Sequence, residues 1–295
     1  MKRYRDIAGD GGSNIAGQVA EQQARLRSRL ATIRRTVAVV SGKGGVGKSS
    51  MTANLAAALT ARGQAVGVLD ADLNGPSLAK MLGVRGQALR VTDAGVEPAR
   101  SSQGIRVLSM DLLLPSDETP VVWDAPTQAE AHTWRGSMEG TVLREFLTDT
   151  AWGALDVLLL DLPPGVDRLP TVADLLPGLS GAVVVTIPSE VSHLVVKKSI
   201  TLAQDVGAPL FGLVENMAGY VCQQCGSVGA LFEGPGGERT AAQFGIPFLG
   251  RVPFDPRLAV AADRGRPFVL DHGETPAGQA ILAVAARLAD GLASG

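Results

Sequence analysis

The run Ser41-Gly42-Lys43-Gly44-Gly45-Val46-Gly47-Lys48-Ser49-Ser50 contains the pattern G-x-x-x-x-G-K-[ST] between Gly42 and Ser49. It follows the apolar stretch Thr36-Val37-Ala38-Val39-Val40, and the segment from Ser50 to Ala61 reads as a helix. A strand, a glycine loop and a helix in that order form a phosphate-binding loop. Gly42, Gly44, Gly45 and Gly47 carry no Cβ, so the backbone N–H groups through Val46 to Ser50 can curl around phosphate oxygens. The new helix adds the positive end of its dipole. Lys48 is expected to reach the β- and γ-phosphates of ATP, and the Ser49 hydroxyl to bind Mg²⁺. Lys43 is surplus to a plain phosphate loop. It points away from its own phosphates and could reach a nucleotide held by a facing subunit, neutralising charge that develops during phosphoryl transfer.

Carboxylates complete the expected nucleotide site. Asp70 and Asp72, in Leu69-Asp70-Ala71-Asp72-Leu73-Asn74-Gly75-Pro76-Ser77, leave an apolar strand beside the loop. Asp72 is the candidate to orient the attacking water or assist its deprotonation, and Asp70 to support Mg²⁺ through water. Asp161 ends another apolar strand, ahead of Leu162-Pro163-Pro164-Gly165, and suits a Mg²⁺ contact from behind water. For any one of the three, a cap or turn role is the alternative. Asn216, in Val214-Glu215-Asn216-Met217, offers an amide to the edge of an adenine base. Pro253-Phe254-Asp255 is a candidate to close the base pocket, with an ordinary loop role as the alternative for both.

Cys222-Gln223-Gln224-Cys225-Gly226 follows closely. Two thiolates three positions apart can grip one soft metal centre, zinc or an iron–sulfur cluster. A four-iron cluster or tetrahedral zinc needs four ligands. The chain has 2 cysteines and 3 histidines, and the histidines (His132, His193, His272) are far away in sequence. A symmetric dimer in which each copy contributes Cys222 and Cys225 supplies four thiolates. A redox-active pair, or two cysteines without a role, are the alternatives.

The elements that must position these residues alternate along the chain. Strands are expected at 36–41, 65–70, 105–110, 156–161, 181–187, 209–214 and 247–252, and helices at 49–62, 139–150, 190–206, 237–244, 256–264 and 276–293. Runs such as Val157-Leu158-Leu159-Leu160 suit strands buried on both faces of a mostly parallel sheet. The expectation is a doubly wound α/β fold of the P-loop NTPase type in a single domain, spanning 36–295, with ligands at the carboxyl ends of the strands. Residues 1–35 read as a tail plus a helix from Ser13 to Arg35, with Leu26, Leu30 and Ile33 on one face and a basic opposite face. The 295 residues suffice for one large core, and a net charge of −2 gives no electrostatic case for nucleic acid or an anionic membrane. No apolar run reaches membrane-spanning length, Met1 to Asp10 lacks an apolar signal core, and two cysteines form no disulfide framework. A cytoplasmic protein is expected.

The loop string with its second lysine resembles the deviant phosphate-loop class of nucleotide-sandwich dimers, which includes the nitrogenase iron protein and the septum-site and plasmid-partition ATPases. From Thr36 onward the resemblance sharpens to the Mrp/Nbp35 (ApbC-like) iron–sulfur carriers. The matching strings are Gly42 to Ser49, Asp70-Ala71-Asp72 with Gly75-Pro76-Ser77, Trp134-Arg135-Gly136, Asp161 to Gly165, Glu215-Asn216-Met217 leading into Cys222 to Gly226, and Pro253-Phe254-Asp255-Pro256. The resemblance implies an ATP-hydrolysing homodimer that holds a labile [4Fe–4S] cluster between its subunits and passes it to apo-proteins. It makes Lys43 the signature lysine and Cys222 and Cys225 the cluster ligands. The chain departs from the family at Val166-Asp167-Arg168, where members read P-P-G-T-G-D, and at Ser137, where they read R-G-P-M. The first change bears on the rate of hydrolysis and on how nucleotide and cluster are coupled. The extra N-terminal domain of some members has no counterpart. A membrane- or nucleoid-cycling organiser is the competing class, but it needs a basic amphipathic element, and Ala277 to Ser294 carries Arg287 as its one base. A dimer held by structural zinc is the third reading.

Overall fold

Strand β1 (Ile33–Val40) shows why these residues fold as they do. Val37 and Val39 enter one apolar layer and Ala38 and Val40 the other, all essentially without solvent contact. A strand apolar on both faces is stable only with cover on both, which the helices provide. The computed structural model describes residues 15–116, 118–119, 128–176, 178–232 and 236–294.

The helices are α1 (Ile15–Leu30), α2 (Lys48–Ala61), α3 (Leu78–Met81), α4 (Gln128–Asp149), α5 (Arg168–Leu175), α6 (Glu190–Asp205), α7 (Gly237–Phe244), α8 (Arg257–Asp263), α9 (Phe268–His272) and α10 (Pro276–Ser294). The remaining strands are β2 (Val66–Asp70), β3 (Arg90–Thr92), β4 (Gly95–Glu97), β5 (Ala99–Arg100), β6 (Arg106–Leu108), β7 (Leu155–Asp161), β8 (Gly181–Thr186), β9 (Leu210–Val221), β10 (Val228–Gly229) and β11 (Phe248–Phe254). Nine strands form one sheet in the order β10-β9-β8-β1-β7-β2-β6-β5, with β11 also on β9, while β3 and β4 make a separate hairpin. All pairs in the main sheet are parallel except β5 with β6 and β9 with β10 at its edges. The Ala-rich α2 and α10 cover one face, through Leu55, Leu59, Ile281 and Leu288. The other face is covered by Leu26 of α1, Leu143 and Leu147 of α4, and Val196 and Ile200 of α6. This is the expected doubly wound α/β fold, with β1 between β7 and β8 and the phosphate loop at its carboxyl end.

Three boundaries differ from the sequence expectation by several residues, one of them the start of α4, at Gln128 rather than 139. The first helix ends at Leu30 rather than Arg35. Ile33 is buried and pairs with Leu155, Arg34 ion-pairs with Asp156 at 3.2 Å, and Arg35 donates to the Leu292 carbonyl at 3.1 Å. The line between 35 and 36 therefore falls inside a strand, and α1 is docked on α4, with Arg29 donating to the Thr148 carbonyl at 2.8 Å. Strand β9 runs on to Val221 rather than stopping at 214. Glu215 and Asn216 look like a strand end but are buried inside the sheet, where other elements supply their partners.

Candidate nucleotide and thiol site

The loop between β1 and α2 has the backbone its glycines allow. Gly45 and Gly47 lie at φ of 79° and 80°, a region that favours glycine, and Gly47 caps α2. A cleft of about 330 Å³ opens between Lys43–Ser50, Asp72 and Pro164. Gly42 is pressed against Val195 of α6, so that helix supports the loop from behind.

Asp161 organises the floor. Its carboxylate is fully buried and accepts hydrogen bonds from Lys48 Nζ, Ser49 Oγ and Thr52 Oγ1, each at 2.6 Å. Thr52 stands one turn along α2 from Lys48, a spacing readable in the sequence, while its contact with Asp161 is set by the fold. Lys43 lines the cleft, and among the described residues its ammonium makes no hydrogen bond or ion pair. Asp72 also lines the cleft, and its Oδ1 accepts from the Gly75 N–H at 3.3 Å.

Asp70 also has a structural role in the fold. Its Oδ2 accepts the N–H groups of Ser77 and Leu78, at 2.9 and 3.0 Å, and the Ser109 hydroxyl at 3.1 Å, so it tethers the start of α3. Its Oδ1 is buried without a partner. Burial, and then the charge of Asp161 opposite it in the sheet, push its carboxyl from an ordinary 3.8 up to about 7. The folded state therefore holds a proton there that the unfolded chain has released, and stability falls as pH rises from about 4 to about 7. In nucleotide-free protein with EDTA, Asp70→Asn is expected to raise the melting temperature at pH 8 and change it little at pH 5. Equal shifts at both pH values would contradict this.

Asn216 is held by the phosphate loop. Its Nδ2 donates to the Val46 carbonyl at 2.8 Å and closes on Gly47, so the amide nitrogen is engaged in holding the phosphate loop. Asp255 is buried in a two-pronged ion pair with Arg257 (3.0 and 2.7 Å) and accepts Gln223 Nε2 at 3.3 Å. Burial alone would raise its carboxyl, but the hydrogen bonds from Arg257 outweigh burial and hold it below the ordinary value.

Where the chain departs from the carrier family at Val166-Asp167-Arg168, the structure shows a latch. Glu139 accepts Asn74 Nδ2 at 2.7 Å and Arg168 Nη1 at 3.0 Å, joining the Asp72 loop to the Pro163–Arg168 loop. Both loops border the phosphate cleft. Glu139→Ala is expected to slow ATP turnover about tenfold with nucleotide affinity held within about threefold, because the lost contacts position loops rather than phosphates. Unchanged turnover in a steady-state assay would dismiss the latch. Trp134, Arg135 and Gly136 lie in α4, with side chains outside the described set.

The cysteines sit where β9 turns into β10. Cys222 N–H donates to the Ser227 carbonyl at 2.9 Å and Gly226 N–H to the Cys222 carbonyl at 2.8 Å, closing a tight loop. Cys222 is half-buried and Cys225 exposed, and both are free thiols. A hydrogen bond with the Ser227 hydroxyl at 3.0 Å, then the Ser227 backbone and Cys222, lower the Cys225 thiol from its ordinary 9.0 and favour the thiolate. Among the described residues, no group of three or more His, Cys, Asp or Glu is placed to hold a metal within one chain.

A strand, glycine loop and helix around a buried lysine–aspartate pair, at the carboxyl ends of a parallel sheet, define a P-loop NTPase. Residues 32–289 match the family model described as ParA: NUBPL iron-transfer P-loop NTPase, and the chain belongs to that family. It is 44% identical over 253 residues to an iron-sulfur cluster carrier protein of Methanocaldococcus jannaschii, covering 85% of this chain and 83% of that one. It is 40% identical over 264 residues to the cytosolic Fe-S cluster assembly factor NUBP2 of Bos taurus, covering 88% and 93%. Among solved structures it resembles a nucleotide-binding protein of Archaeoglobus fulgidus in complex with ADP, with a TM-score of 0.70 and 37% identity over 82% of this chain and 91% of that one. No helix among the described residues is long and apolar enough to cross a membrane.

Proposed function

We propose that this chain is an ATP-hydrolysing carrier of iron–sulfur clusters that works as a homodimer in the cytoplasm, with a working domain whose first strand begins at Ile33 and with the docked helix α1 ahead of it. One observation carries the reading. A single strand, β9, holds the phosphate loop through Asn216 and ends at a pair of accessible thiols, Cys222 and Cys225. Two thiols per chain fall short of the four that a [4Fe–4S] cluster takes, and a second copy related by a two-fold axis supplies the rest. Exposed apolar side chains support such a contact: Tyr220, Val228, Leu231 and Phe232 beside the thiols, and Val191 and Leu194 on α6, which backs the loop. The cluster is cargo, passed on to apo-proteins.

In the nucleotide cleft, backbone N–H groups of Gly44 to Ser50 and the Lys48 ammonium take the phosphates. Asp72 orients the attacking water, and Lys43 reaches the nucleotide of the opposite copy. The all-oxygen set of Ser49, Asp161 behind it, and the orphaned Asp70 Oδ1 fits a hard cation such as Mg²⁺. When bound, that ion neutralises charge on the β- and γ-phosphate oxygens.

Anaerobic reconstitution tests the reading. Cys222→Ala is expected to lose the reconstituted iron while still binding nucleotide, and a variant that kept full iron would refute the ligand assignment. Zinc alone in the parent protein would favour the structural-zinc alternative.

A further inference from the structure

Strand β9 is irregular between the phosphate loop and the thiols. Against β11, Asn216 pairs with Val252 and Tyr220 with Phe254, so four steps on β9 face two on β11. The surplus is a bulge. Within it Met217 lies at φ 54°, the one positive φ at a non-glycine position among the described residues. On the near side the chain grips the loop: Asn216 Nδ2 donates to the Val46 carbonyl, and the Met217 methyl lies 3.6 Å from where a Gly47 Cβ would stand. On the far side it grips the thiols. The Tyr220 ring stacks on Phe254 with centroids 6.5 Å apart, and Gln223, between the cysteines, donates to Asp255 Oδ1 and to the Val221 carbonyl, each at 3.3 Å.

We propose that the Asn216–Met217 bulge is the positioning element through which the phosphate loop sets the geometry of Cys222 and Cys225. This rests on the carrier reading and adds the route by which nucleotide is sensed at the thiols. A regular strand would join the two sites as a fixed rod. A bulge with one side chain in a sparsely populated backbone region has a second arrangement within reach, in which Met217 returns to extended backbone. The Asn216–Val46 hydrogen bond holds the observed arrangement. When phosphates fill the loop, the position of the Val46 carbonyl changes, and the hold on Asn216 changes with it. The segment beyond the bulge, pinned at Tyr220 and Gln223, shifts the two thiols together. Asn216 and Met217 are positioning residues, since neither touches cargo or a reacting atom.

The test reads the thiols directly in the full chain. Iodoacetamide labelling of Cys222 and Cys225 is followed by peptide mass spectrometry, with and without Mg²⁺ and adenylyl-imidodiphosphate. The nucleotide analogue is expected to change at least one labelling rate about threefold or more. Met217→Gly, which frees the backbone, is expected to abolish that response while binding the analogue within about threefold of the parent. Gln223→Ala is expected to speed labelling in both states and shrink the response. A parent protein that binds the analogue but labels at one unchanged rate would overturn the proposal, as would a Met217→Gly protein with the full response. Mass photometry on the same samples separates movement within the chain from occlusion by a second copy. A response that follows dimer formation alone, equal in parent and variant, also overturns it. Iron counted on reconstituted aliquots tests the carrier reading separately: a nucleotide-responsive pair that holds no iron would sustain the coupling and reject the carrier.

Discussion

Lys48→Ala is expected to lower nucleotide affinity about 100-fold, the loss of a charge-assisted contact to phosphate. The same change should destabilise the free protein. Lys48 Nζ lies 2.6 Å from Asp161 Oδ2, with the lysine 6% and the aspartate 0% exposed. Removing one partner leaves a buried carboxylate uncompensated, at a cost of about 3 kcal/mol. Asp161 would then face Asp70 across adjacent strands with only the neutral donors Ser49 and Thr52. Isothermal titration with ATP and a urea melt measure the two effects. Affinity within a few-fold of the parent would remove Lys48 from the phosphate site, whatever happened to stability.

Lys43→Ala should behave differently. Its ammonium has no partner among the described residues, so little stability is at stake. Nucleotide affinity should stay within about threefold, and turnover should fall about 100-fold or more, as when a charge that acts only in the transition state is removed. Mixing decides between action within a chain and action across the dimer. Lys43→Ala chains mixed with Asp72→Ala chains form dimers in which one site has its own Asp72 and receives Lys43 from the other copy. Random pairing should restore about a quarter of the parent turnover. Unchanged turnover in the single variant, or no rescue on mixing, would dismiss the trans role.

The phosphate loop was legible in the sequence because its chemistry is local. Four glycines, a lysine and a serine within ten residues define a backbone cradle whatever surrounds them. The sheet was legible because its central strands are apolar on both faces. Less legible were polar residues whose partners come from elsewhere in the chain. Asp70 reads as a support for Mg²⁺ through water, and its tethering role is hidden because Ser77, Leu78 and Ser109, the donors its Oδ2 meets, are brought together only by the fold. Asn216 reads as following a strand, but lies inside a longer one, with its amide nitrogen on the carbonyl of Val46, which is 170 residues away in sequence. Glu215 hides the continuation of β9 in the same way, because its charge is met by Arg251 from β11 at 3.0 Å. The latch among Asn74, Glu139 and Arg168 joins three segments that no local pattern relates. The carrier pattern at Val166 to Arg168 is altered, yet that segment keeps a link to the Asp72 loop through a different set of side chains.

Anaerobic reconstitution with iron and sulfide, followed by native mass spectrometry, tests the central claim most directly. About four iron and four sulfide per two chains, absent from Cys222→Ala, is the predicted result. A parent protein that stays free of iron, or takes up only zinc, would contradict the account and leave an ATP switch whose cysteine pair is structural or redox-active.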